Sequence, residues 1–405
     1  MKIRVFVALA CLGAQPALAD EKVFLEAWKR VNTTFYDKNM RGVDWSAVRD
    51  ELLPAARAAQ TPEETSAVIN KALGRLGVSH TAHFVPSQRA YWELVDVFYP
   101  RGVPADEPGL GSGPVSFVGA GVATKVIDGK VFAADVYDAC PAAAAGLLVG
   151  DELIAVDGKP WSDVDAFKEK EGRPVAVTIR RTKDGPTSTV TLTPQRLQPQ
   201  RTFLRALKGS AKVIEKDGKQ IGYVRVRSYA NESYQRRLAK LLDKELKDCD
   251  ALVLDLRAGW GGAQAKYMEL FGSLVPNMVF RERGADWSGP VETTSWKKPM
   301  VVLIDSDSRS GKEMLAYAFK AMHRATLVGT KTRGAVLGGR GTLISDGSLL
   351  LVAVSDVRVD GQILEGHGVE PDITVERPIP YCRGNDPQLQ RGVEVAVERL
   401  RRSGT

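Results

Sequence analysis

Residues 301–340 read VVLIDSDSRSGKEMLAYAFKAMHRATLVGTKTRGAVLGGR and carry the strongest structural signal in this 405-residue chain. The apolar run at 301–304 predicts a buried strand, and a short polar turn leads from it to Ser310-Gly311. One apolar face then follows at helical spacing, formed by Met314, Leu315, Ala318, Phe319 and Met322. Ser310 is therefore expected at a helix N-terminus, where backbone N–H groups favour negative charge. That position suits a nucleophile whose attack creates an oxyanion, and it equally suits a simple N-cap.

The surrounding 200 residues alternate strands with helices. The segments IGYVRV, ALVLDLR, MVVLID, ATLVG and LLLVAVSD predict strands, and helices are predicted near residues 234–246, 264–274 and 312–322. This alternation is typical of a layered domain with helices packed against a sheet. We therefore predict an α/β domain over residues 200–400.

Residues 114–196 predict a small β domain after a Gly- and Pro-rich linker at 105–114. The segment resembles a PDZ domain of the bacterial kind. Gly119, Ala120, Gly121 and Val122 match its carboxylate-binding loop, and residues 141–147 match its P-A-x-x-A-G-L helix. Such a domain captures an extended peptide by strand addition, with loop N–H groups holding the terminal carboxylate. The alternative is a β domain that only packs against the rest of the chain.

Residues 20–104 predict a helical region. Its third helix has a clear start, with Thr61 as N-cap, Pro62 at the first helical position and Glu64 reaching back. Gly77 is predicted to end this helix. The loop that follows contains Ser79 and His80, at a place where side chains can point into a cleft.

Residues 1–19 have the pattern of a cleaved signal peptide. Lys2 and Arg4 precede a short apolar run that ends in Ala17-Leu18-Ala19. The run is shorter than the roughly 20 residues that span a bilayer, so we predict an exported, periplasmic or extracellular protein without a stable membrane span. Three cysteines would remain, at 140, 249 and 382, which allows at most one disulfide.

The charge of the chain does not indicate a nucleic-acid partner. The formal net charge is +7 and the pI is about 9.1, but the Lys and Arg residues are scattered and no basic stripe has interleaved aromatic residues. No H-E-x-x-H or paired-Cys motif suggests a metal, and no cofactor is predicted.

The segment around Ser310 resembles the nucleophile motif of the S41 serine peptidases, which include the C-terminal-processing and tricorn-like enzymes. The matching residues are Ser310, Glu313, Arg324-Ala325, Val328-Gly329, Thr332 and Gly334. The resemblance implies a crotonase- or ClpP-like α/β core with an N-terminal helical region and an inserted PDZ domain. It also implies peptide-bond hydrolysis through an acyl-enzyme on Ser310.

The general base is where this chain departs from the processing branch of that family. That branch has a Lys 25 positions after the serine, but residue 335 is Ala. The tricorn-like branch takes a histidine from a Ser-His pair, and Ser79-His80 matches that pair. A neutral imidazole can accept the hydroxyl proton near neutral pH. Four alternatives stay open as bases: His83, His367, Lys331 and Lys312.

Two further matches complete the predicted site. Residues 365–372 resemble the family's E-G-x-G-V-x-P-D segment, which implies that Glu365 orients the imidazole. Residues 255–262 resemble D-L-R-x-N-x-G-G, which implies oxyanion donors at Gly261 and Gly311. Gly259 stands where the family has Asn, and Trp260 is expected to narrow the site.

The predicted function is therefore an exported serine endopeptidase that acts on polypeptides, which its PDZ domain recognises by their C-termini. The alternative is an inactive S41-like scaffold that binds peptide tails in the cell envelope. Its main support is the absence of Lys at position 335. Relatives often assemble into oligomers, and the sequence leaves this property open.

Overall fold

The computed structural model describes residues 17–98, 115–262, 270–271, 278–282, 285–287 and 296–403. Positions 1–16 of the predicted signal peptide lie outside these residues, and positions 17–19 form the first turn of a helix. The predicted linker at 105–114 is also outside them, as is the predicted helix at 264–274 apart from Leu270 and Phe271. No helix in the described part of the chain is long and apolar enough to cross a membrane.

The N-terminal region is helical, as predicted. Asp44 and Thr61 cap the second and third helices by accepting the backbone N–H groups of Ala47 and Glu64. The third helix ends at Gly74, three residues before the predicted end, because its last turn tightens into i→i+3 hydrogen bonds. The elements are α1 (Ala17–Thr34), α2 (Trp45–Ala58), α3 (Pro62–Gly74), β1 (Ala82–Phe84) and α4 (Arg89–Phe98).

The middle region is a small β domain. Its main sheet has the order β3-β4-β5-β7-β8, with β6 paired to β5, and β2 pairs with β9 at its base. Asp165–Phe167 forms only a single 3₁₀ turn. The elements are β2 (Phe117–Gly119), β3 (Val122–Ile127), β4 (Lys130–Val136), α5 (Pro141–Ala144), β5 (Glu152–Val156), β6 (Lys159–Pro160), β7 (Val175–Arg180), β8 (Thr187–Leu192) and β9 (Gln195–Leu197).

Over its described residues, the C-terminal region contributes to two sheets and contains four α-helices. The first half has α6 (Pro199–Ser210), β10 (Lys212–Lys216), β11 (Lys219–Arg225), α7 (Glu232–Asp243), β12 (Ala251–Asp255), β13 (Met278–Glu282), β14 (Ala285–Trp287) and β15 (Met300–Ile304). The second half has α8 (Gly311–Ala321), β16 (Thr326–Gly329), β17 (Gly338–Leu343), β18 (Leu349–Val359), β19 (Gln362–Ile363), β20 (Ile373–Thr374) and α9 (Pro387–Ser403).

The first of these sheets has the order β10-β11-β12-β15-β16-β20. Strands β11, β12, β15 and β16 are parallel neighbours, so their carboxyl ends meet at one edge. Every residue of β12 and β15 is buried, because α9 covers one face and α6, α7 and α8 cover the other. This region is the predicted layered α/β domain.

The second sheet connects the N-terminal helices to the core. Its order is β1-β18-β13-β14, and β17 and β19 also pair with β18. Apolar residues of β18, including Leu350 and Val352, and of the segments that flank β17 pack against α1, α2 and α3. The pairing of Ala82 with Leu351 fixes the chain just after the Ser79-His80 loop.

A buried ionic network joins the β domain to the α/β domain. Asp135 on β4 accepts two hydrogen bonds of 2.9 Å from Arg227 and an ion pair of 2.9 Å from Arg225. Arg225 also faces Asp255, at 3.8 Å, and Asp255 pairs with Arg257 at 2.7 Å. All five side chains are at most 8% exposed. The network holds the two domains in one relative position.

We expect Asp135→Ala to lower the free energy of unfolding by about 3–5 kcal/mol, because it leaves two buried guanidinium groups without their shared carboxylate. Chemical denaturation at pH 7 measures this loss. The control is Glu171→Ala in the same domain, whose exposed pair with Arg196 is worth about 0–1 kcal/mol. Equal losses of unfolding free energy in the two variants would contradict the proposed role of Asp135 in the buried network.

The difference in stability between wild type and Asp135→Ala should also depend on pH. Burial alone would raise the pKa of Asp135, but the two arginines hold it well below its usual range. A carboxylate with a depressed folded-state pKa stabilises the protein above its unfolded pKa of about 3.9 and loses this effect as the pH falls further. The stability difference between wild type and Asp135→Ala should therefore shrink in acid below about pH 4.

Candidate active site

Three loops of the parallel sheet meet at its carboxyl edge. They follow β12, β15 and β16, and they contain Gly261, Ser310 and Ala335. The Ser310 N–H donates to the Ala335 carbonyl at 2.8 Å. A Cβ atom added to Gly261 would lie only 2.7 Å from the Ser310 Cβ. The sheet topology therefore brings segments up to 74 residues apart along the chain (335 − 261 = 74) into one site.

Ser310 is the N-cap residue of α8 and has the left-handed values φ 58° and ψ −130°. A non-glycine residue in this region is strained and needs support from its surroundings. Glu313 supplies it, because its carboxylate accepts the N–H groups of Ser310, Gly334 and Ala335 at 3.1, 2.6 and 2.7 Å. Glu313 had no predicted role of its own, although its S-x-x-E spacing is that of a capping box.

His80 approaches Ser310 from the other sheet. The distance between His80 Nε2 and Ser310 Oγ is 3.1 Å, across 230 residues of sequence. Gly339 makes room for the imidazole, since a Cβ there would lie 3.0 Å from His80 Cδ2. The two residues singled out from the sequence as nucleophile and base are thus in hydrogen-bond contact.

Ser79 and Glu365 extend this contact into a chain of hydrogen bonds. The Ser79 hydroxyl lies 2.8 Å from His80 Nδ1 and donates to Glu365 Oε2, also at 2.8 Å. Glu365 also accepts the N–H groups of Ser79 and Val336, both at 2.7 Å. Glu365 was predicted to orient the imidazole. In the structure Ser79 lies between the Glu365 carboxylate and the His80 ring.

This series of hydrogen bonds determines the tautomer of His80. An ionised carboxylate only accepts hydrogen bonds, so the single hydroxyl proton of Ser79 is directed to Glu365. The Ser79 oxygen can then only accept from the ring, which places the imidazole proton on Nδ1. His80 Nε2 is left with a lone pair directed at the Ser310 hydroxyl. That is the arrangement a general base needs.

Burial makes the neutral form of this imidazole dominant. It lowers the pKa of His80 to about 3, and the positive charge of Arg309 acts in the same direction. The ring is therefore unprotonated over the physiological range and available to accept a proton.

The alternative histidine bases lie elsewhere. His83 is buried on β1, where its ring nitrogens contact the hydroxyl groups of Ser66 and Ser348 at 2.9 and 2.7 Å. His367 is exposed, and its Nδ1 lies 2.9 Å from the Glu365 carbonyl. Neither ring contacts Ser310.

The two lysines are also engaged away from the hydroxyl. Lys331 is exposed and pairs with Glu370 at 2.8 Å. Lys312 is fully buried, and its ammonium group donates to the carbonyl of Ala258. Burial lowers the pKa of Lys312 to about 7, and Arg225 adds to this effect. Lys312 thus supports the loop after β12 and does not contact the nucleophile.

One predicted oxyanion donor, Gly261, is in the loop after β12, and the other, Gly311, is the first residue of α8. The N–H groups of Gly261 and Gly311 both lie beside Ser310, and neither donates a hydrogen bond to any residue in the described part of the chain. Gly259 has φ 70°, and a Cβ there would lie 2.4 Å from the Arg227 carbonyl oxygen. The Gly in place of the family's Asn is therefore required by this packing.

A cavity of about 420 Å³ opens beside Ser310. Its wall is mainly apolar and includes Trp260, as expected, whose indole N–H donates to Glu93 at 2.7 Å. The other apolar lining residues include Leu94, Phe98, Met314, Val336, Leu351, Val354 and Val357. The cavity can hold an apolar side chain next to the nucleophile.

The predicted PDZ loop lies apart from this cavity. Gly119 is paired in β2, and Ala120, Gly121 and Val122 follow it as buried residues that do not line the cavity. The Ala120 and Gly121 carbonyls accept from Ala142 and Tyr137 at 2.8 and 2.9 Å. Strand β3, which begins at Val122, is an edge strand of its sheet among the described residues.

The three cysteines in the described part of the chain, at 140, 249 and 382, are unpaired thiols. No group of three or more His, Cys, Asp or Glu side chains in the described ranges could hold a metal ion.

Comparison with known proteins finds three matching domains. Peptidase family S41 matches residues 220–375, the tricorn protease C1 domain matches 16–74, and a PDZ domain matches 119–193. The putative tricorn protease homolog 2 of Streptomyces coelicolor is 26% identical over 95% of this chain, which spans 33% of that protein. The carboxyl-terminal-processing protease of Synechocystis sp. is 26% identical over 92% of this chain and 86% of its own length.

The fold is shared with solved structures. The photosystem II D1 C-terminal processing protease superposes with a TM-score of 0.53 at 22% identity, covering 91% of this chain and 98% of its own.

We predict that His80 stays neutral with its proton on Nδ1 from pH 8 down to pH 5. The measurement is ¹⁵N and ¹³C NMR of labelled protein, with the His80 signals identified by their loss in His80→Gln. An ordinary imidazole, with a pKa of about 6.5, would be mostly protonated at pH 5. A His80 midpoint near 6.5, or a proton on Nε2, would contradict the hydrogen-bond chain.

Proposed function

The chain belongs to peptidase family S41, and from this premise we propose that it is a serine endopeptidase that cleaves peptide bonds through an acyl-enzyme on Ser310. The observation that carries the proposal is the 3.1 Å contact between the Ser310 hydroxyl and His80 Nε2. This distance is within the range over which a general base can remove a proton.

The first half of the reaction forms the acyl-enzyme. Ser310 Oγ attacks the peptide carbonyl carbon while its proton moves to His80 Nε2. The ring is then positively charged, and Ser79, backed by the Glu365 carboxylate, stabilises it through Nδ1. When the C–N bond breaks, His80 gives its proton to the leaving amine, and the acyl group remains as an ester on Ser310.

The second half releases the product. A water molecule gives a proton to His80 and attacks the ester carbonyl. The bond to Ser310 then breaks, and His80 returns the proton to Oγ. In both halves the N–H groups of Gly261 and Gly311 are the proposed donors to the oxyanion, because they lie beside Ser310 without another partner among the described residues.

The PDZ domain is proposed to bind a polypeptide segment, with Gly119, Ala120, Gly121 and Val122 as its carboxylate-binding loop. Support comes from the position of β3, which ends its sheet and can accept an added strand. Val126 on this strand is 67% exposed and could contact a bound peptide. The loop and the cavity beside Ser310 would then contact different parts of one substrate.

We also propose that residues 1–19 direct export and are removed. The basic residues, short apolar run and small residues at 17 and 19 support this hypothesis. For the mature chain we propose a helical region at 20–104, a PDZ domain at 114–196 and a catalytic core at 200–400.

The scaffold alternative has less support. It rested on Ala335, which replaces the lysine of the processing branch. A neutral imidazole in contact with Ser310 provides a base without that lysine.

We expect a serine-directed phosphonate to label the protein covalently and Ser310→Ala to abolish both labelling and cleavage of an unfolded protein. His80→Ala should lower kcat/KM by about 10⁴-fold, since no other base among the described residues contacts the Ser310 hydroxyl. Ser79→Ala should cause a smaller loss by freeing Nδ1. Mass spectrometry and a fluorogenic peptide assay measure these effects.

The control is Lys331→Ala, which removes an exposed ammonium group paired with Glu370 and should leave kcat/KM unchanged. No labelling or cleavage by the wild type would favour the scaffold. Retained cleavage in His80→Ala with loss in Lys331→Ala would instead identify a lysine base.

Gly259→Asn, which restores the residue usual in the family, should lower kcat/KM by about 10- to 100-fold. Its Cβ would meet the Arg227 carbonyl at 2.4 Å and displace the loop that carries Gly261, and a shift of about 1 Å can have an effect of this size. The control is Gly129→Asn, also at positive φ but with no atom within 4 Å of the new Cβ. Wild-type activity in Gly259→Asn would rule out this role for the glycine.

A further inference from the structure

Arg309, the residue before the nucleophile, is a cation in the wall of the active-site cavity. Its guanidinium lies over the ring of Trp260, 5.1 Å from the centroid. The Trp260 ring is in turn held by its hydrogen bond to Glu93. The guanidinium is therefore held at a defined place beside Ser310.

The guanidinium group of Arg309 makes no hydrogen bond or ion pair with any residue in the described ranges. This sets it apart from Arg227 and Arg257, which are buried and pair with Asp135 and Asp255. Burial lowers the pKa of Arg309 to about 10, and the like charge of Arg333 contributes in the same direction. The group is still protonated at neutral pH. Glu313, Asp307 and Glu365 act on its charge only from a distance, and none of them forms an ion pair with it.

The three carboxylates that act electrostatically on Arg309 form their hydrogen bonds and ion pairs with other groups. Glu313 accepts hydrogen bonds from the backbone N–H groups of Ser310 and Gly334. Glu365 accepts from Ser79 and Val336. Asp307 pairs with Lys125 and Arg333 at 3.1 and 3.4 Å.

The described residues that line the cavity add no negative charge. They include the arginines at 309 and 340 but no Asp or Glu. A partly buried guanidinium without a counter-ion favours a ligand that supplies one. Its planar set of N–H donors matches a carboxylate better than any other group in a polypeptide.

We propose that Arg309 is a specificity-determining residue that binds a substrate carboxylate close to the scissile bond. This inference rests on the proposed peptidase function. The carboxylate can come from two sources, which share the same chemistry. One is the α-carboxylate of a chain end that lies just beyond the bond, and the other is an Asp or Glu side chain next to it.

The test uses two matched pairs of fluorogenic peptides with an apolar residue at the cleaved bond. One pair differs in a free or amidated C-terminus, and the other in Glu or Gln beside the bond. We expect wild type to prefer the carboxylate form of one pair by about 10- to 100-fold in kcat/KM, the range of a charge-assisted hydrogen bond. The peptide pair that shows the preference identifies whether the bound carboxylate is a chain end or an acidic side chain.

The variants separate recognition from a merely structural role. In Arg309→Gln the ratio of kcat/KM between carboxylate and neutral peptides should fall to about 1, and Arg309→Lys should keep part of it. Arg333→Gln changes the net charge equally but is outside the cavity lining, so it should keep the full ratio. If Arg309 only supports Trp260 or His80, its loss lowers kcat/KM for both peptides equally and the ratio survives, which overturns the proposal.

A binding measurement makes the outcome independent of catalysis. In fluorescence anisotropy, Ser310→Ala should bind the carboxylate peptide more tightly than the neutral one. The double variant Ser310→Ala/Arg309→Gln should lose this preference. Cleavage without any carboxylate preference would reject the role of Arg309 and leave the peptidase function intact. Preferential binding without cleavage by the wild type would reject the peptidase function and leave the role of Arg309 intact.

Discussion

The hydrogen-bond chain from Glu365 through Ser79 to His80 is the constraint on which the candidate site depends. Glu365 can only accept, so it sets the direction of the Ser79 hydroxyl, and that hydroxyl in turn sets the tautomer of the ring. Without this order either ring nitrogen could carry the proton, and only one tautomer can receive the proton of Ser310. A buried, neutral imidazole is a consequence of the same surroundings.

The chain of hydrogen bonds requires two sheets to be held in register. Ser310 follows a strand of the parallel sheet, whereas His80 and Glu365 are placed by strands paired with β18. The loop between β16 and β17 joins the two systems. Glu313 accepts the N–H groups of Gly334 and Ala335, and Glu365 accepts that of Val336. The carboxylates of Glu313 and Glu365 thus bind three consecutive backbone amides. The Ser310 side and the His80 side of the site are both fixed to this one segment, residues 334–336.

A second set of charges holds the PDZ domain against this core. Arg227 pairs with Asp135 of that domain, and its carbonyl accepts the N–H of Trp260 at 2.7 Å. The loop that carries Gly261 is therefore packed on a residue of the domain interface. Buried ion pairs add little net stability but strongly disfavour other arrangements, because each unpaired charge is costly. This explains why so many charged side chains are buried between the two domains.

Local patterns were sufficient to predict several of the helices and strands. The strand, turn and helix around Ser310 and the cap at Thr61 follow from periodicity and capping within a few residues, and family resemblance pointed to His80 and Glu365. The end of α3 was misplaced because Gly77 follows a 3₁₀ turn that periodicity does not reveal.

Only the tertiary structure decided that Ser79 stands between Glu365 and the ring, that Gly259 faces the Arg227 carbonyl, and that Arg309 has no acidic partner among the described residues. These contacts join residues far apart in sequence, 286 in the case of Ser79 and Glu365, and depend on how the sheets pack.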